Sequence, residues 1–284
     1  MVKLGFSLQA LPASQFSQTI TLLHNAGFSA VSPVWSEDLE LEQLAACVAE
    51  NGMTIQSLHA PHSGIALLWT PQDPLSAATV KNITGCIDAC AKFNIPLAVV
   101  HGWQGLIYTF PTEPLNFTNF DYIVDYAEEK KVSIAFENLE GEEYLEALLT
   151  RYGNRAHVGY CWDSGHDNCY PHRLDFLKAF GSRLIMTHVN DNLGLRDPSG
   201  IPSGKDDLHF LPYDGKICWE KAIERLKDLP RQEILNFELK KRTKSDAPED
   251  LIYDGLSMEE YISLAGIRAK QIARLYEKMT QGRE

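Results

Sequence analysis

Residues 132–138 read VSIAFEN, a run rich in β-branched and aromatic residues that ends on the carboxylate of Glu137. Such a run is typical of a buried strand. A buried glutamate is costly unless it is paired or bound to a metal, so a strand that ends on one indicates a site. Three other strand-like runs end in the same way, on Asp163, His188 and Glu238. We therefore predict that the rest of the chain brings these four strand ends together.

Eight strand-like runs alternate with helical runs along the whole chain. The strands are predicted at 3–7, 30–34, 54–59, 97–101, 132–137, 157–163, 183–188 and 233–238. The helices are predicted at 15–26, 39–50, 73–93, 117–130, 141–150, 171–180, 216–227 and 257–278. This alternation predicts an α/β fold, a (β/α)8 TIM barrel. Because no linker or composition break divides the chain, we expect residues 1–284 to form one domain.

A doubly wound open sheet is the structural alternative. It would normally carry a glycine-rich phosphate turn after the first strand. Residues 7–10 read SLQA, which is not such a turn. The barrel is therefore the favoured fold.

Composition restricts the compartment and the class of partner. The six cysteines form no CxxC pair, and the N-terminus has no signal-peptide layout, so we expect a cytoplasmic protein. No run approaches the ~20 apolar residues that cross a bilayer, which argues against a membrane partner. The net charge of −12 disfavours nucleic acid held by the overall field, although a local basic patch could still bind phosphate.

Polar side chains gather at the predicted C-terminal strand ends, where active sites of (β/α)8 barrels lie. They are His59, His62, His101, Glu137, Asn138, Asp163, His166, His188, Asn190, Asp191, Asp207, His209 and Glu238. Their nitrogen and oxygen donors suit Zn, Mn, Mg or Co, and the thiolates of a structural zinc site are missing from the set. A single strand-end glutamate could instead pair with a lysine or arginine, but four such ends favour a metal. Cys161 and Cys169 flank this set, and we assign them to packing.

Five motifs resemble those of the xylose isomerase-like superfamily of barrels, which contains sugar isomerases, sugar epimerases and endonuclease IV. They are FEN at 136–138, WDSGH at 162–166, THVND at 187–191, DLH at 207–209 and FE at 237–238. The resemblance covers the whole chain. It is specific for the superfamily and much less so for the reaction.

The resemblance to sugar epimerases implies one divalent metal ion, held by Glu137, Asp163, His188 and Glu238. Glu137 and Glu238 would then be acid and base on opposite faces of the substrate. A cation chelated by a carbonyl and a hydroxyl acidifies the carbon-bound proton between them, and the two carboxylates can move that proton. The predicted function is a metal-dependent isomerase or epimerase of a small sugar or sugar phosphate, and a homo-oligomer is compatible with it.

Further residues are candidates for substrate binding. His166 would contact a substrate oxygen, and Asn138 follows Glu137 in the motif. Arg196 is the candidate for a basic residue after the seventh strand, and the loop residue Trp103 could stack on an apolar sugar face.

Endonuclease IV-like multi-zinc phosphoesterases are the functional alternative. The resemblance implies that their additional ligands match His59, His101, His166, Asp207 and His209. Two departures argue against DNA repair. His62 stands where a DNA-intercalating tyrosine is expected, and residues 35–38 lack the arginines of a DNA probe. The sugar, its phosphorylation and the number of metal ions stay open at this point.

Overall fold

Parallel strands dominate the computed structural model, which describes residues 1–280. The strands within this range are β1 Lys3–Leu8, β2 Ala30–Pro33, β3 Thr54–Ile55, β4 Leu58–His59, β5 Leu97–His101, β6 Ser133–Glu137, β7 Val158–Asp163, β8 Leu184–His188 and β9 Ile234–Phe237. They form two sheets, in the orders β3-β2-β1-β9 and β4-β5-β6-β7-β8. The third predicted strand is split into β3 and β4. When these two are taken as one strand, the two sheets together supply the eight strands of the barrel.

The two sheets join at both edges and close into a barrel. At one junction the backbone N–H of Trp35 donates to the carbonyl of His59 at 2.9 Å. At the other, the N–H of Val189 donates to the carbonyl of Asn236 at 2.8 Å, and the N–H of Glu238 donates back to Val189 at 3.2 Å. Closure thus pairs the edge strands of the two sheets with each other. The predicted (β/α)8 TIM barrel is therefore confirmed, whereas its extent as one domain over 1–284 stays a prediction.

Strand alternation decides which side chains face the barrel interior. Five buried apolar side chains form the inner cluster, namely Leu97, Val99, Ala135, Cys161 and Met186. The same alternation carries His101, Glu137, Asp163 and His188 into the interior, two residues further along their strands. The other half of the interior is polar, because Asn236 accepts from Ser7 at 2.8 Å and donates to Ser32 at 2.6 Å.

The helices surround this barrel. They are α1 Phe16–Ala26, α2 Leu41–Glu50, α3 Ser76–Lys92, α4 Thr118–Lys130, α5 Glu142–Arg151, α6 Ser164–Cys169, α7 Phe176–Phe180, α8 Trp219–Glu224 and α9 Met258–Thr280. A capping box begins the last helix, since Ser257 and Glu260 exchange hydrogen bonds of 2.7 and 3.2 Å. None of the helices within residues 1–280 has both the length and the apolar character of a membrane-spanning helix.

Two predicted helices are shorter in the structure. The helix predicted at 171–180 begins only at Phe176, where the side chain of Asp175 accepts the N–H of Lys178 as the N-cap. Before it, the N–H groups of Arg173 and Leu174 donate to the carboxylate of Glu142. The helix predicted at 216–227 is reduced to α8, and the N–H of Ile217 before it donates to Asp191 at 3.1 Å. In both cases a carboxylate distant in sequence binds the segment that precedes the helix.

Helix α6 was missed in the sequence. It starts directly after β7, and the carboxylate of Asp163 accepts the N–H of His166 at 2.7 Å as its N-cap. Aspartate is one of the residues preferred at helix N-caps, so Asp163 was the available signal for this helix start. The same contact fixes the position of Asp163 at the mouth of the barrel.

Candidate metal centre at the barrel mouth

The four predicted strand-end residues meet at the barrel mouth. Glu137, Asp163, His188 and Glu238 each offer one donor atom, and these atoms lie within 4.8 Å of one another. Nδ1 of His188 lies 2.8 Å from Oε1 of Glu137 and 2.9 Å from Oε2 of Glu238. All four side chains are buried. Three carboxylates and one imidazole around one point are donors that suit a divalent cation.

Glu137 also belongs to a second group of donors, which we call the His59 group. Its other oxygen, Oε2, lies 3.2 Å from Nε2 of His59 and 3.1 Å from Nε2 of His101. Thus the two oxygens of one carboxylate face two adjacent sets of donors. A carboxylate in this position can bridge two cations or hold one cation and accept hydrogen bonds from two imidazoles.

A third group of donors consists of His166, Asp207 and His209, and we call it the His166 group. Oδ1 of Asp207 lies 2.9 Å from Nε2 of His209 and 3.4 Å from Nε2 of His166. Nevertheless this buried oxygen accepts no hydrogen bond from the described residues. The three donors therefore lie close together around one carboxylate oxygen, which is an arrangement that fits a cation.

Backbone carbonyls orient the imidazoles. Nδ1 of His59 lies 2.8 Å from the carbonyl of Ala60, and Nδ1 of His166 lies 2.8 Å from that of Asn138. Nδ1 of His209 contacts the carbonyl of Glu238 at 2.9 Å. A histidine that donates from Nδ1 presents the lone pair of Nε2, which is how metal-binding histidines are usually fixed. The donor atoms fit a divalent cation, and so do the hydrogen bonds that orient the histidine rings.

Burial and charge determine the protonation of these groups without a cation. Burial raises the pKa of Asp163 to about 6. Burial alone would also raise the pKa of Glu137, but His188, His101 and His59 outweigh it and hold that pKa well below its usual value. Burial lowers the pKa of His166, but the charges of Asp163 and Asp207 raise it by more. The resulting pKa of His166 is well above its ordinary value. Bound protons thus supply part of the positive charge that a metal cation would otherwise supply.

Three predicted substrate-binding side chains are occupied by contacts with other residues of the chain. Asn138 is buried, donates to the carbonyl of Asp163 and accepts from its N–H at 2.7 Å. Trp103 stacks on Tyr144, with ring centroids 4.2 Å apart. The guanidinium of Arg196 is bound by two carboxylates, Asp206 at 3.0 Å and Asp250 at 2.7 Å. Each of these side chains therefore makes structural contacts, and sequence position alone could not reveal them.

Cys161 is buried directly beside the centre, and its sulfur lies within 4.8 Å of donor atoms of Glu137 and His188. It could therefore join these two residues as a metal ligand, and its assignment to packing stays a prediction. Burial raises the pKa of this thiol to about 12, so it stays protonated in the metal-free site. Cys169 is also buried, in a small apolar cluster with Leu139 and Tyr170.

A cleft of about 530 Å³ opens over the three groups of donors. Its floor contains Glu137, His101, Asp207 and Glu238, and Glu140 and Tyr170 lie among its walls. A larger groove of about 920 Å³ lies beside it, between α1 and α9, but its lining contains none of the donors. We therefore regard the smaller cleft as the candidate active site.

Sequence reasoning missed a group of cations in this cleft. Lys240, Arg242 and Lys244 line it together with Thr243 and Gln9. The available signal was the run KKRTK at 240–244, which begins two residues after Glu238. A strand end at an active site places the loop that follows it at the same mouth, so this run could have been assigned to the site.

Comparison with known proteins agrees with the fold. A protein of Sinorhizobium fredii (strain NBRC 101917 / NGR234), named "Uncharacterized protein y4fM", is 30% identical over 264 residues, which cover 78% of this chain and 79% of that protein. A solved structure of L-ribulose 3-epimerase has a TM-score of 0.72 at 12% identity and covers 100% of both chains. A D-tagatose 3-epimerase-like protein has a TM-score of 0.66 at 18% identity, covering 99% of this chain and 98% of its own.

A protein with a different named activity shares the fold as well. The structure titled as an AP endonuclease, family 2, from Brucella melitensis has a TM-score of 0.58 at 14% identity, with 88% of this chain and 96% of that chain covered. At such identities the likeness shows the fold alone. The family model described as "Xylose isomerase-like TIM barrel" matches residues 20–260. Since that match spans most of the sequence, the chain belongs to the xylose isomerase-like TIM barrel family.

Proposed function

We propose that the chain is a divalent-metal-dependent isomerase or epimerase of a sugar or sugar phosphate. The observation that carries this proposal is the pair of contacts that Glu137 and Glu238 make with His188, at 2.8 and 2.9 Å. The two carboxylates reach one point from different strands, at the floor of a cleft large enough for a small sugar. The sugar 3-epimerases among the structural neighbours support the same class of reaction.

In this proposal Glu137, Asp163, His188 and Glu238 hold the cation. When bound there, a divalent cation supplies the positive charge that polarises a substrate carbonyl and acidifies the neighbouring C–H. One of the two glutamates takes that proton, and the other returns a proton to the opposite face or to the adjacent carbon. Asp163 does not share this role, because its oxygens already accept from His166 and from Asn190 at 2.7 and 2.8 Å.

Asn138 and Asn190 are positioning residues in this proposal. Asn138 binds both backbone groups of Asp163 and also accepts from the hydroxyl of Tyr160 at 2.9 Å. These contacts hold the end of β7 at a fixed distance from β6. His166, whose Nε2 faces the cleft, is the candidate for contact with a substrate oxygen.

The experiment that tests the proposal is a panel of ketoses and ketose phosphates incubated with the metal-loaded protein in D2O. Proton NMR reports both the product and the loss of the proton at the carbon beside the carbonyl. We expect one ketose to be converted, with solvent deuterium at that carbon. Absence of conversion over the whole panel, with metal bound and the protein folded, would contradict the proposal.

A second candidate function is hydrolysis of a phosphodiester by several metal ions, as in endonuclease IV. A specific observation favours it. The His59 group and the His166 group share Glu137 with the four-residue centre and add five further donor residues, and Oδ1 of Asp207 accepts no hydrogen bond within residues 1–280. The contrary observation is His62, which stacks on His101 at 5.3 Å in the cleft where a DNA-intercalating tyrosine is expected.

Metal content separates the two candidates. About one ion per chain is expected for the sugar enzyme, whereas about three are expected for the phosphoesterase. A protein with three ions that incises an abasic duplex, and loses this activity in Asp207→Asn, would replace the first proposal by the second.

A further inference from the structure

Three cations line one side of the candidate active-site cleft. Lys240, Arg242 and Lys244 belong to the segment that follows β9, which we call the basic segment, residues 240–244. It begins two residues after Glu238, so its cations and this proposed acid/base residue follow the same strand, β9. None of these cations is required to hold a divalent metal ion or to move a proton.

The basic segment has cations without carboxylate partners in an acidic protein. The chain has 38 acidic and 26 basic residues, and several arginines outside the cleft are paired with carboxylates, for example Arg151 with Asp121 at 2.6 Å. Within residues 1–280 the side chains of Lys240 and Arg242 make neither an ion pair nor a hydrogen bond, and the charge of Lys240 helps to lower the pKa of Glu238. Two unpaired cations that face a cleft are available for an anionic ligand.

The third cation links the segment to the donors. Nζ of Lys244 lies 3.3 Å from Oδ2 of Asp207, whose other oxygen belongs to the His166 group. Positive charge therefore extends from the rim of the cleft to the edge of the candidate metal centre. A ligand that contacts the basic segment would lie within reach of the centre with its other end.

Backbone contacts hold the segment in place. The N–H of Lys240 donates to the carbonyl of His209 at 3.0 Å, and the N–H of Ser245 donates to the hydroxyl of Thr243 at 3.1 Å. The hydroxyl of the buried Ser245 in turn accepts from Ala247 at 3.2 Å. These contacts fix the backbone that carries the cations, which reduces the backbone entropy that a bound anion would have to offset.

We infer that the substrate is a phosphorylated sugar whose phosphate is bound by Lys240, Arg242 and Lys244. This inference rests on the proposed function, since it places the carbonyl end of the same ligand at Glu137 and Glu238. A phosphomonoester is a dianion that needs two or three such donors, and arginine matches its oxygens with two parallel N–H groups. A free ketose carries no charge and would leave these cations without a ligand.

A small phosphate ester fits the charge distribution better than a nucleic acid. The cations are confined to one segment, while Glu140 lies in the same cleft and the chain has a net charge of −12. A duplex requires cations along a track of phosphates. One local set of three cations suits a single terminal phosphate.

The test compares matched ligands on the full-length, metal-loaded protein by isothermal titration calorimetry. The ligands are inorganic phosphate, D-tagatose, D-tagatose 6-phosphate, D-fructose, D-fructose 6-phosphate and an abasic duplex. We expect inorganic phosphate to bind, and at least one ketose phosphate to bind about tenfold or more tightly than its free ketose. Arg242→Gln and Lys240→Gln should each weaken binding of phosphate and of that ketose phosphate by about tenfold.

Two further variants keep this test decisive. Lys241→Gln is the matched control, because Lys241 has the same charge in the same segment but lines only the neighbouring groove. It should retain the affinity for the ketose phosphate, and Arg242→Lys should retain part of it. Thermal unfolding of each variant verifies the fold. Equal loss in Lys241→Gln would show a general field effect and overturn the inference.

The remaining outcomes distinguish this inference from the proposed function. Equal affinity for free and phosphorylated ketoses, together with turnover of a free ketose, overturns the phosphate site and keeps the isomerase or epimerase. Binding of a ketose phosphate that depends on Arg242, without turnover of any ketose, supports the phosphate site and removes the isomerase or epimerase. Binding of the abasic duplex more tightly than every ketose phosphate, lost in Arg242→Gln, overturns the inference in favour of a phosphodiester.

Discussion

Nδ1 of His188 lies 2.8 Å from Oε1 of Glu137, so the ends of β8 and β6 meet at the mouth of the barrel. The same nitrogen lies 2.9 Å from Oε2 of Glu238, at the end of β9. One imidazole nitrogen is thereby shared between two carboxylates from separate strands. The two carboxylates raise the pKa of His188, which favours its protonated form in the metal-free protein, and a divalent cation close to this position would supply the same positive charge.

The first prediction concerns the two glutamates. Glu137→Gln and Glu238→Gln should each keep the fold and reduce turnover by about 10²–10⁴, the usual contribution of a positioned acid or base. Steady-state rates on the converted sugar measure this effect. Metal content has to be determined on the same samples, because each carboxylate is also a proposed ligand. Glu50→Gln, at the exposed end of α2, is the control and should keep wild-type turnover.

The second prediction concerns pH and metal removal. In the metal-free protein His166 has a raised pKa, so its ion pair with Asp207 stabilises the fold below the ordinary value of 6.5 and is lost as pH rises through the raised pKa. Burial raises the pKa of Asp163 from 3.8 to about 6, so its ionisation costs stability as pH rises through that range. Both effects make the metal-free protein less stable at higher pH.

Divalent cations should reverse this trend, because ligand deprotonation favours their binding. We therefore expect the difference in Tm between metal-loaded and chelator-treated protein to widen from pH 5.5 to pH 8. This range is chosen because Asp163, with a pKa of about 6, loses its proton within it. Differential scanning calorimetry across this range provides the measurement. A difference that narrows with pH would contradict the assignment of these residues as metal ligands.

The third prediction concerns stability away from the centre. Glu142 is buried and binds the N–H groups of Arg173 and Leu174, which fixes the segment before α7. Glu142→Ala removes the acceptor of these partly buried N–H groups and should lower the free energy of unfolding by about 1–3 kcal/mol. Denaturant unfolding measures this loss.

Glu146→Ala is the matched control for that prediction. Glu146 also pairs with Arg173, at 3.2 Å, but the pair is exposed to solvent. Its removal should change the free energy of unfolding by less than about 1 kcal/mol. Similar losses in both variants would mean that the backbone hydrogen bonds of Glu142 are not the stabilising contact.

The fourth prediction concerns nucleic acid. We expect negligible incision of an abasic duplex, because His62 stands where an intercalating tyrosine is expected and residues 35–38 carry no arginine. A gel assay with metal-loaded protein measures incision. Robust cleavage that disappears in His101→Ala would reverse the order of the two candidate functions.

The strand ends could be predicted because burial along a strand follows directly from residue type and spacing. Glu137 illustrates this, because it is the last of the five residues of β6, all of which are buried or partly buried. Arg196 illustrates the limit. Its partner Asp250 lies 54 residues away, so only the folded chain shows that its guanidinium is already bound. The position of Trp103 likewise depends on Tyr144, against which it stacks.

Loops account for most of what the sequence did not reveal. The basic segment follows β9, but its direction toward the cleft depends on the hydrogen bond from Lys240 to His209, in a separate loop. Similarly, the His166 group combines residues of α6 with residues of the loop before α8. Sequence spacing identifies such residues as candidates, whereas tertiary contacts decide which of them meet.

The measurement that tests the central claim most directly is solvent deuterium incorporation during turnover of a ketose in D2O. The wild-type protein is compared with Glu137→Gln and Glu238→Gln, and proton NMR follows the hydrogen at the carbon beside the carbonyl. We predict that wild-type product carries deuterium at this carbon and that both variants incorporate it about 10²–10⁴ times more slowly. Wild-type turnover that retains the original hydrogen at this carbon would contradict proton transfer by Glu137 and Glu238.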